Sequence, residues 1–253
     1  MSAIENVFKS RDKNRISPVE LIDTIFTDFF EMHGDRKFGD DLAIKCGIAR
    51  LDGMPVSVIA VNKGKDIKEK VANNFGSPHP EGYRKALRIM KQAEKFNRPV
   101  ICLIDTAGAY CGIGAEERGQ GQAIADNLCE MMRLNIPVIS ILTGEGGSGG
   151  ALALAVADEV WMLKNAIYSV ISPEGCASIL WKDSKKIEKA ANSLKLTSDD
   201  LLSFKIIDKI INEDDDTVNN IKIQLIEKLK ELKTKDKETL KQDRYNKFRR
   251  IGY

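Results

Sequence analysis

With 39 lysines and arginines against 37 aspartates and glutamates, the 253-residue chain has a formal net charge of +2, which indicates no nucleic-acid partner. The length suffices for one domain with a full hydrophobic core, and the absence of a signal peptide or long apolar run predicts a cytoplasmic protein with no membrane contact. The five cysteines are scattered without a Cys-x-x-Cys pair, which indicates reduced thiols and neither a disulfide framework nor a zinc site.

The N-terminal part of the chain predicts a helix followed by a hairpin. Ser17-Pro18 is typical of a helix start, with an N-cap and a first helical residue, and an amphipathic helix is expected to run to about Met32. Residues 43–50 and 55–62 have the composition of strands. Residues 51–54, which contain Asp-Gly, are a good hairpin signal between them.

The next part predicts a strand between two helices. Residues 63–66 form a turn with two lysines at the end of a strand, for which a solvated loop is an open alternative. A helix with a basic face is expected from Tyr83 to Phe96, and a strand from Pro99 to Ile104. The strand ends at residues 105–112, a loop with two glycines, and a long helix is expected over about 115–134.

The central feature of the chain is the stretch from residue 137 to residue 157. The apolar run from Pro137 to Leu142 predicts a buried strand, and five glycines follow within residues 144–150 before a helix of small residues at 151–157. Glycines leave the backbone N–H groups open to a ligand, and at a helix N-terminus these groups are unpaired and favour an anion. The stretch therefore predicts an anion or oxyanion site, with a tight turn that binds nothing as the alternative.

Three other motifs match the same letters, and each lacks a required part. Gly144-x-Gly146-x-x-Gly149 fits the dinucleotide fingerprint, but Lys164 lies near the position of its acidic residue. The loop continues into Ala151 where a P-loop has Gly-Lys-Ser/Thr. Ser148 between glycines also matches the nucleophile elbow, but the two histidines, His33 and His79, precede it, whereas the histidine of that triad follows the serine. A backbone oxyanion hole without a protein nucleophile remains.

The order strand, glycine loop and helix occurs twice, beginning at Asp105 and at Gly144. In a parallel sheet both loops emerge at the same strand ends, where ligands bind, so each loop can supply one N–H group to a two-donor hole. Shorter strands are expected at 159–163 and 167–171, and a helix from Pro173 to Trp181. From Thr217 onward, lysines interleaved with glutamates indicate a solvated or partner-facing helix pair.

Several long motifs resemble, in the same order, the carboxyltransferase alpha subunit of bacterial acetyl-CoA carboxylase. The similarity runs from about Val19 to Ile211 and resumes at Arg244-Tyr245-x-x-Phe248-Arg249. Its motifs are FGDD (38–41), PEGYRKALR (80–88), GIGAEERGQ (112–120), GEGGSGGA (144–151) and YSVISPEG (168–175). The resemblance implies an α/β fold of the crotonase (ClpP/crotonase-like) type, a spiral of ββα units with C-terminal helices. It also implies a single carboxyltransferase domain over 1–253, with a helical segment at about 1–33, a core at 34–211 and a charged helical tail at 212–253.

The function implied by the resemblance is carboxyl transfer from carboxybiotin, carried on the biotin carboxyl carrier protein, to acetyl-CoA. This reaction gives malonyl-CoA in the first committed step of fatty acid biosynthesis. In this family the alpha subunit holds the biotin side, and a beta subunit supplies the zinc ribbon and most of the CoA site. We therefore expect an α2β2 complex that also works with biotin carboxylase, with biotin on the carrier and zinc only in the beta subunit. Because the base belongs to the cofactor, a histidine-poor enzyme is expected.

The site residues implied by the resemblance surround the second glycine loop, and none is a metal ligand. The N–H groups of Gly149 and Gly150 would form the oxyanion hole for the biotin ureido oxygen. The other expected biotin-binding residues are Gly146, Gly147, Gly108, Ala109, Tyr110, Lys65 and Lys63. Relatives carry a cation that meets the transferable carboxylate. Lys65 is the first candidate for this position, and Lys63 is the second. Glu116, Glu117 and Arg118 are expected to anchor the loop through ion pairs.

Some features depart from the family pattern. The family usually has proline at the positions of Ala107 and Cys111, and a Pro/Gly segment ending in His where this chain has 212–220. The long N-terminal helix of many relatives is also missing. These departures concern the rim and the partner contacts. No residue of the chain indicates which acyl group is recognised. A carboxyltransferase or biotin-dependent decarboxylase acting on another acyl-CoA is therefore one alternative, and a non-catalytic binding subunit is a second one.

Overall fold

One mixed sheet of eight strands organises the fold in the computed structural model, which describes residues 2–252. The strands are β1 (Thr27–Glu31), β2 (Ile44–Leu51), β3 (Met54–Val61), β4 (Val100–Thr106), β5 (Val138–Gly147), β6 (Glu159–Leu163), β7 (Ile167–Ser169) and β8 (Lys209–Ile211). Their order in the sheet is β1-β2-β3-β4-β5-β6-β8, and β7 pairs with the end of β5. The first three strands are antiparallel, and the pairs from β3 onward are parallel.

Helices cover this sheet and follow its strands. They are α1 (Ala3–Ser10), α2 (Pro18–Ile25), α3 (Ile67–Ala72), α4 (Pro80–Lys95), α5 (Ile113–Glu117), α6 (Gln120–Arg133), α7 (Ser148–Leu152), α8 (Pro173–Trp181), α9 (Ile187–Leu194), α10 (Ser198–Ser203), α11 (Thr217–Leu232) and α12 (Lys237–Arg249). Every residue of β4 is buried, and α4 packs against α6 and against β2 and β3. Such burial on both faces explains why these strands appear in the sequence as continuous apolar runs.

The expected hairpin is confirmed, but the helix before it is shorter than expected. Leu51 pairs with Met54 across the turn, as the Asp-Gly signal indicates. The helix predicted to reach Met32 ends at Ile25, and β1 begins two residues later. The prediction was wrong because β1 forms by pairing with β2, where Phe30 lies opposite Ile48, and a helix-like local pattern does not reveal that distant partner.

Two further helix predictions need correction. The helix expected from Tyr83 already begins at Pro80, whose fixed φ suits the first helical position. The single long helix expected over 115–134 is two helices, α5 and α6. Gly119 separates them at φ +81°, a left-handed conformation that glycine adopts readily.

The central strand is longer than expected, and the helix after it is shorter. The glycine run predicted to leave the sheet at Thr143 stays in β5 up to Gly147. Residues 145–147 remain extended because they pair with 167–169, which form β7. The helix expected at 151–157 is therefore α7, which begins at Ser148 and ends at Leu152. The strand expected to reach Ile171 ends at Ser169.

The charged tail forms the expected helix pair, α11 and α12, which packs one face on the core and keeps the other exposed, while a contact of that exposed face with a partner stays a prediction. One face of α11 is buried through Ile221, Leu225 and Leu229, and α11 packs against α2 and β8. Helix α12 packs against α6 and buries Arg244 completely. No helix among residues 2–252 combines the length and the apolar character that a membrane span requires. The domain limits stay a prediction, and Met1 and Tyr253 lie outside the described residues.

Candidate active site

The two glycine loops touch each other at the carboxyl ends of β4 and β5. A Cβ atom at Gly150 would collide with the Ala109 nitrogen and would lie 2.7 Å from the Gly108 carbonyl carbon. A Cβ atom at Gly147 would collide with the Ala107 carbonyl group. Glycine is therefore required at both positions for this approach. The structure thus brings together Gly108, Ala109, Gly147 and Gly150, as the sequence predicts.

Several backbone N–H groups at this junction have no acceptor in the described part of the chain. Gly149 and Gly150 lie in the first turn of α7, where an N–H group has no partner within the helix. In the first loop, Gly108 donates to Thr106 Oγ1 at 3.0 Å and Tyr110 donates to the Pro78 carbonyl at 3.0 Å. The N–H group of Ala109 is left free between them. Both loops therefore contribute donors without an acceptor where the Ala109 nitrogen lies against Gly150, and an oxyanion hole requires such donors.

A cavity of about 380 Å³ opens at the second loop. Ser148 and Gly149 form its polar end. Its other walls are mainly apolar and consist of Leu152, Tyr168, Ser169, Val170, Leu194, Leu201 and Ile206. Of the expected oxyanion donors, Gly149 lines this cavity and Gly150 does not. An apolar recess with a donor at one end suits a small heterocycle that carries a polar oxygen, such as the ureido ring of biotin. The residues present therefore fit that group.

Ser148 lies at the turn from β5 into α7 in a left-handed conformation, with φ +52°. Its side chain is exposed, and within residues 2–252 its hydroxyl makes no hydrogen bond to a histidine or to any other group. The two histidines are engaged elsewhere. His79 stacks on Tyr110 with ring centroids 4.1 Å apart, and His33 contacts Asp40 at 2.8 Å. The geometry of the turn is that of a nucleophile elbow without the base that would activate its serine.

The two lysines expected near the carboxylate occupy different environments. Lys63 Nζ lies 2.6 Å from Asp105 Oδ1 and 3.1 Å from Glu145 Oε2. Burial alone would lower the pKa of Lys63, but these two carboxylates raise it above its ordinary value. Lys65 has a side chain that is 64% exposed, and its one ion pair among residues 2–252, with Glu20, is long at 3.8 Å. Lys65 is thus available to a ligand, whereas the ammonium group of Lys63 is already paired with two carboxylates.

Ion pairs join the motifs on both sides of the first glycine loop. Arg118 binds both oxygens of Glu81 at 2.9 and 3.1 Å, which confirms that Arg118 forms an ion pair, as expected. Arg84 binds Asp35 at 2.7 Å, and the buried Lys85 binds Asp40 at 2.5 Å. Glu116 and Glu117, expected to take part, are exposed and form no ion pair in the part of the chain that the structure describes.

Sequence reasoning missed several residues that hold the second loop. The Tyr83 hydroxyl donates to the Gly150 carbonyl at 3.1 Å, and burial raises the pKa of Tyr83 above its ordinary range. Asp105 Oδ1 accepts the Glu145 N–H at 2.7 Å. Arg11, from the segment after α1, binds the Glu145 carboxylate at 2.7 Å. The one available signal was an isolated glutamate between glycines in an otherwise small-residue loop.

Several known proteins similar to this chain are carboxyl transferase subunits. Residues 1–252 match the family described as acetyl co-enzyme A carboxylase carboxyltransferase-like. The alpha subunit of acetyl-coenzyme A carboxylase carboxyl transferase from Ruminiclostridium cellulolyticum is 59% identical over 260 residues, covering 100% of this chain and 98% of that protein. A protein from Clostridium tetani named as subunits beta/alpha of the same enzyme is 56% identical over 251 residues, covering 96% of this chain and 44% of that protein.

Solved structures show the same fold at low sequence identity. The transcarboxylase 12S core, with methylmalonyl-coenzyme A and methylmalonic acid bound, matches with a TM-score of 0.71 at 22% identity, over 86% of this chain and 43% of that one. The beta subunit of geranyl-CoA carboxylase from P. aeruginosa matches with a TM-score of 0.68 at 18% identity, over 91% and 44%. The crotonase-type α/β fold implied by the motifs is thereby confirmed. The chain belongs to the family of acetyl-CoA carboxylase carboxyltransferase alpha subunits.

Proposed function

We propose that this chain is the biotin-binding half of the enzyme that transfers a carboxyl group from carboxybiotin to acetyl-CoA. In this proposal the N–H groups of Gly149 and Gly150 bind the biotin ureido oxygen as negative charge develops on it. The observation that supports it is the junction of the two glycine loops, where free donors from α7 lie beside the free N–H group of Ala109. One such donor contributes about 10²- to 10³-fold in rate.

The other site residues would orient the group and exclude water. Gly146 and Gly147 would shape the approach to the donors through close packing, since a Cβ atom at either would collide with neighbouring protein atoms. Gly108, Ala109 and Tyr110 would form the opposite wall. Lys65 would meet the transferable carboxylate, because its ammonium group is exposed and only weakly paired. Bound carboxybiotin supplies both the carboxyl group and, after losing it, the base for acetyl-CoA. The chain itself then needs no catalytic acid or base.

The partners in this proposal follow from the division of the site. A beta subunit would complete the active site in an α2β2 complex and would carry the zinc ribbon and most of the CoA site. The fused beta/alpha relative from C. tetani supports this pairing, because its two halves are necessarily present together. The biotin carboxyl carrier protein and biotin carboxylase would supply the carboxylated biotin. The cytoplasmic location stays a prediction.

Replacing Gly150 with alanine tests the loop junction. The new Cβ atom would collide with the Ala109 nitrogen and so separate the two loops, although the N–H group itself remains. We expect carboxyl transfer by the complex with the beta subunit to fall at least about 10²-fold, as for the loss of one oxyanion donor. The measurement is malonyl-CoA formation from carboxybiotin and acetyl-CoA, with assembly checked by size-exclusion chromatography.

Gly121→Ala is the matched control, because Gly121 lies in α6 and a Cβ atom there meets nothing within 4 Å. This variant should assemble and turn over like the wild type. An assembled Gly150→Ala complex with wild-type turnover would show that the second glycine loop is not part of the active site.

A further inference from the structure

The glycine end of β5 leaves the regular strand ladder through a bulge. Ile104 of β4 lies opposite Leu142, but Thr106 lies opposite Gly146, so two steps along β4 correspond to four along β5. The residues in the bulge, Thr143 to Glu145, therefore lack the regular ladder partners on β4. The conformation of the glycine loop that follows depends on what holds this bulge.

Side chains take the place of the missing ladder bonds. Asp105 Oδ1 accepts the Glu145 N–H at 2.7 Å, and Arg15 donates to the Thr143 carbonyl. The Asp105 carboxylate lies so close to Gly144 that a Cβ atom there would be 2.5 Å from its carboxyl carbon. The bulge is thus shaped around one buried carboxylate, which must keep its charge balanced.

A row of alternating charges supplies that balance. Lys63 bridges Asp105 and Glu145, and Arg11 joins Glu145 at 2.7 Å to Glu174 of α8 at 2.6 Å. Burial alone would raise the pKa of Glu145, but Lys63 and Arg11 lower it below its ordinary value. The side chains of Lys63, Asp105 and Glu145 are each exposed by less than a quarter, so solvent screens these pairs little.

We propose that Lys63 is a positioning residue, which with Asp105, Glu145 and Arg11 holds the β5 bulge and so sets the position of the Gly149 and Gly150 donors. This inference rests on the proposed function, because it gives the donors their catalytic role. It also assigns Lys63 a role different from contact with the transferable carboxylate. Moving the Lys63 ammonium to a substrate would leave the buried Asp105 carboxylate without its cation, and an unpaired buried charge is strongly destabilising.

Variants of Lys63 in the complex with the beta subunit test this assignment. Lys63→Met keeps most of the side-chain volume and removes the charge, whereas Lys63→Arg keeps a cation that can reach both carboxylates. Lys91→Met is the matched control. Lys91, in α4, also pairs with a carboxylate on a different element, that of Glu130 in α6, but it belongs to neither glycine loop. Two quantities are measured: hydrogen–deuterium exchange in residues 143–150, and kcat and KM for carboxyl transfer.

The expected result for Lys63→Met is exchange in residues 143–150 at least about tenfold faster, with residues 138–142 unchanged. The kcat should fall about 10²-fold, as expected for a misplacement of about 1 Å, while KM for acetyl-CoA stays the same. Lys63→Arg should keep exchange in residues 143–150 and kcat close to the wild-type values. Lys91→Met should behave as the wild type. Asp105→Asn, which keeps the shape of the side chain, should reproduce the faster exchange if Lys63→Met does not fold.

The outcomes separate this inference from the proposed function. Loss of transfer in Lys63→Met with wild-type exchange in residues 143–150 would overturn the positioning role, because Lys63 would then act on the substrate directly. Failure of Lys63→Arg to restore exchange would also overturn it. Faster exchange in residues 143–150 with wild-type turnover would instead show that the second glycine loop is not part of the active site. That outcome would contradict the proposed function and, with it, the catalytic part of the inference.

Discussion

At the scale of single residues, Ser148 shows how geometry and chemistry can point in different directions. Its left-handed conformation at a strand-to-helix turn is the arrangement used by nucleophilic serines. No histidine contacts its hydroxyl in the described residues, and both histidines have other partners. Ser148 therefore shapes the turn, and no general base in the described residues activates its hydroxyl group as a nucleophile.

Ser148→Ala should keep most of the carboxyl-transfer activity of the complex. Alanine and serine meet a similar steric cost in the left-handed conformation, about 1–2 kcal/mol, so the turn should persist. The measurement is kcat for malonyl-CoA formation, with folding checked by circular dichroism. A loss of more than about 10³-fold in a folded variant would restore the nucleophile interpretation, because removal of a triad serine lowers kcat by about 10⁶-fold.

The residues of the site could be predicted only where a local rule governs them. The glycines at 147 and 150 stand out in the sequence because close approach of two backbones requires glycine. The pairing of Lys63 with Asp105 and Glu145 could not be predicted, because it joins the ends of three strands that are distant in the chain. The resemblance to the family placed Lys63 and Lys65 together, whereas the structure distinguishes them by burial.

At the scale of elements, the predicted hairpin and α8 agree with the structure, while β1, α7 and the long helix after residue 115 do not. The correct predictions depend on local signals, such as Asp-Gly in the hairpin and Ser-Pro before α8. The wrong ones depend on pairing with a distant strand or on one glycine in a left-handed conformation. The bulge in β5 belongs to this second group, because the register of a strand is set by its neighbours.

Helix α12 offers the clearest test at this scale. Arg244 is fully buried and binds both oxygens of Asp158, and it also donates to the carbonyl groups of Met131, Leu134 and Ile136. It thereby links the tail to the end of α6 and to the start of β5. This role gives a structural reason for the resemblance to the family resuming at residue 244.

Arg244→Met should lower the free energy of unfolding by about 3–5 kcal/mol, because it leaves the Asp158 carboxylate buried and without its cation. The effect should appear as a lower midpoint in urea unfolding. Lys241→Met, in the same helix but in an exposed ion pair with Glu238, should change the free energy of unfolding by less than about 1 kcal/mol. Equal stability of the Arg244→Met variant and the wild type would contradict this description of the tail.

At the scale of the whole molecule, the described chain contains one junction of two glycine loops and, in our proposal, one half of a site. The donors at this junction would stabilise one developing charge, on biotin. The enolate of acetyl-CoA would need a second set of donors, which we assign to the beta subunit. The fused beta/alpha relative from C. tetani, of which this chain matches 44%, supports this division.

Malonyl-CoA formation from carboxybiotin and acetyl-CoA, measured with the purified chain alone, the beta subunit alone and the two combined, tests the half-site claim most directly. We predict no product from either subunit alone, and product from the combined sample in the size-exclusion fraction of an α2β2 complex. Malonyl-CoA made by the purified chain alone would contradict the claim, because it would show that this chain holds both halves of the site.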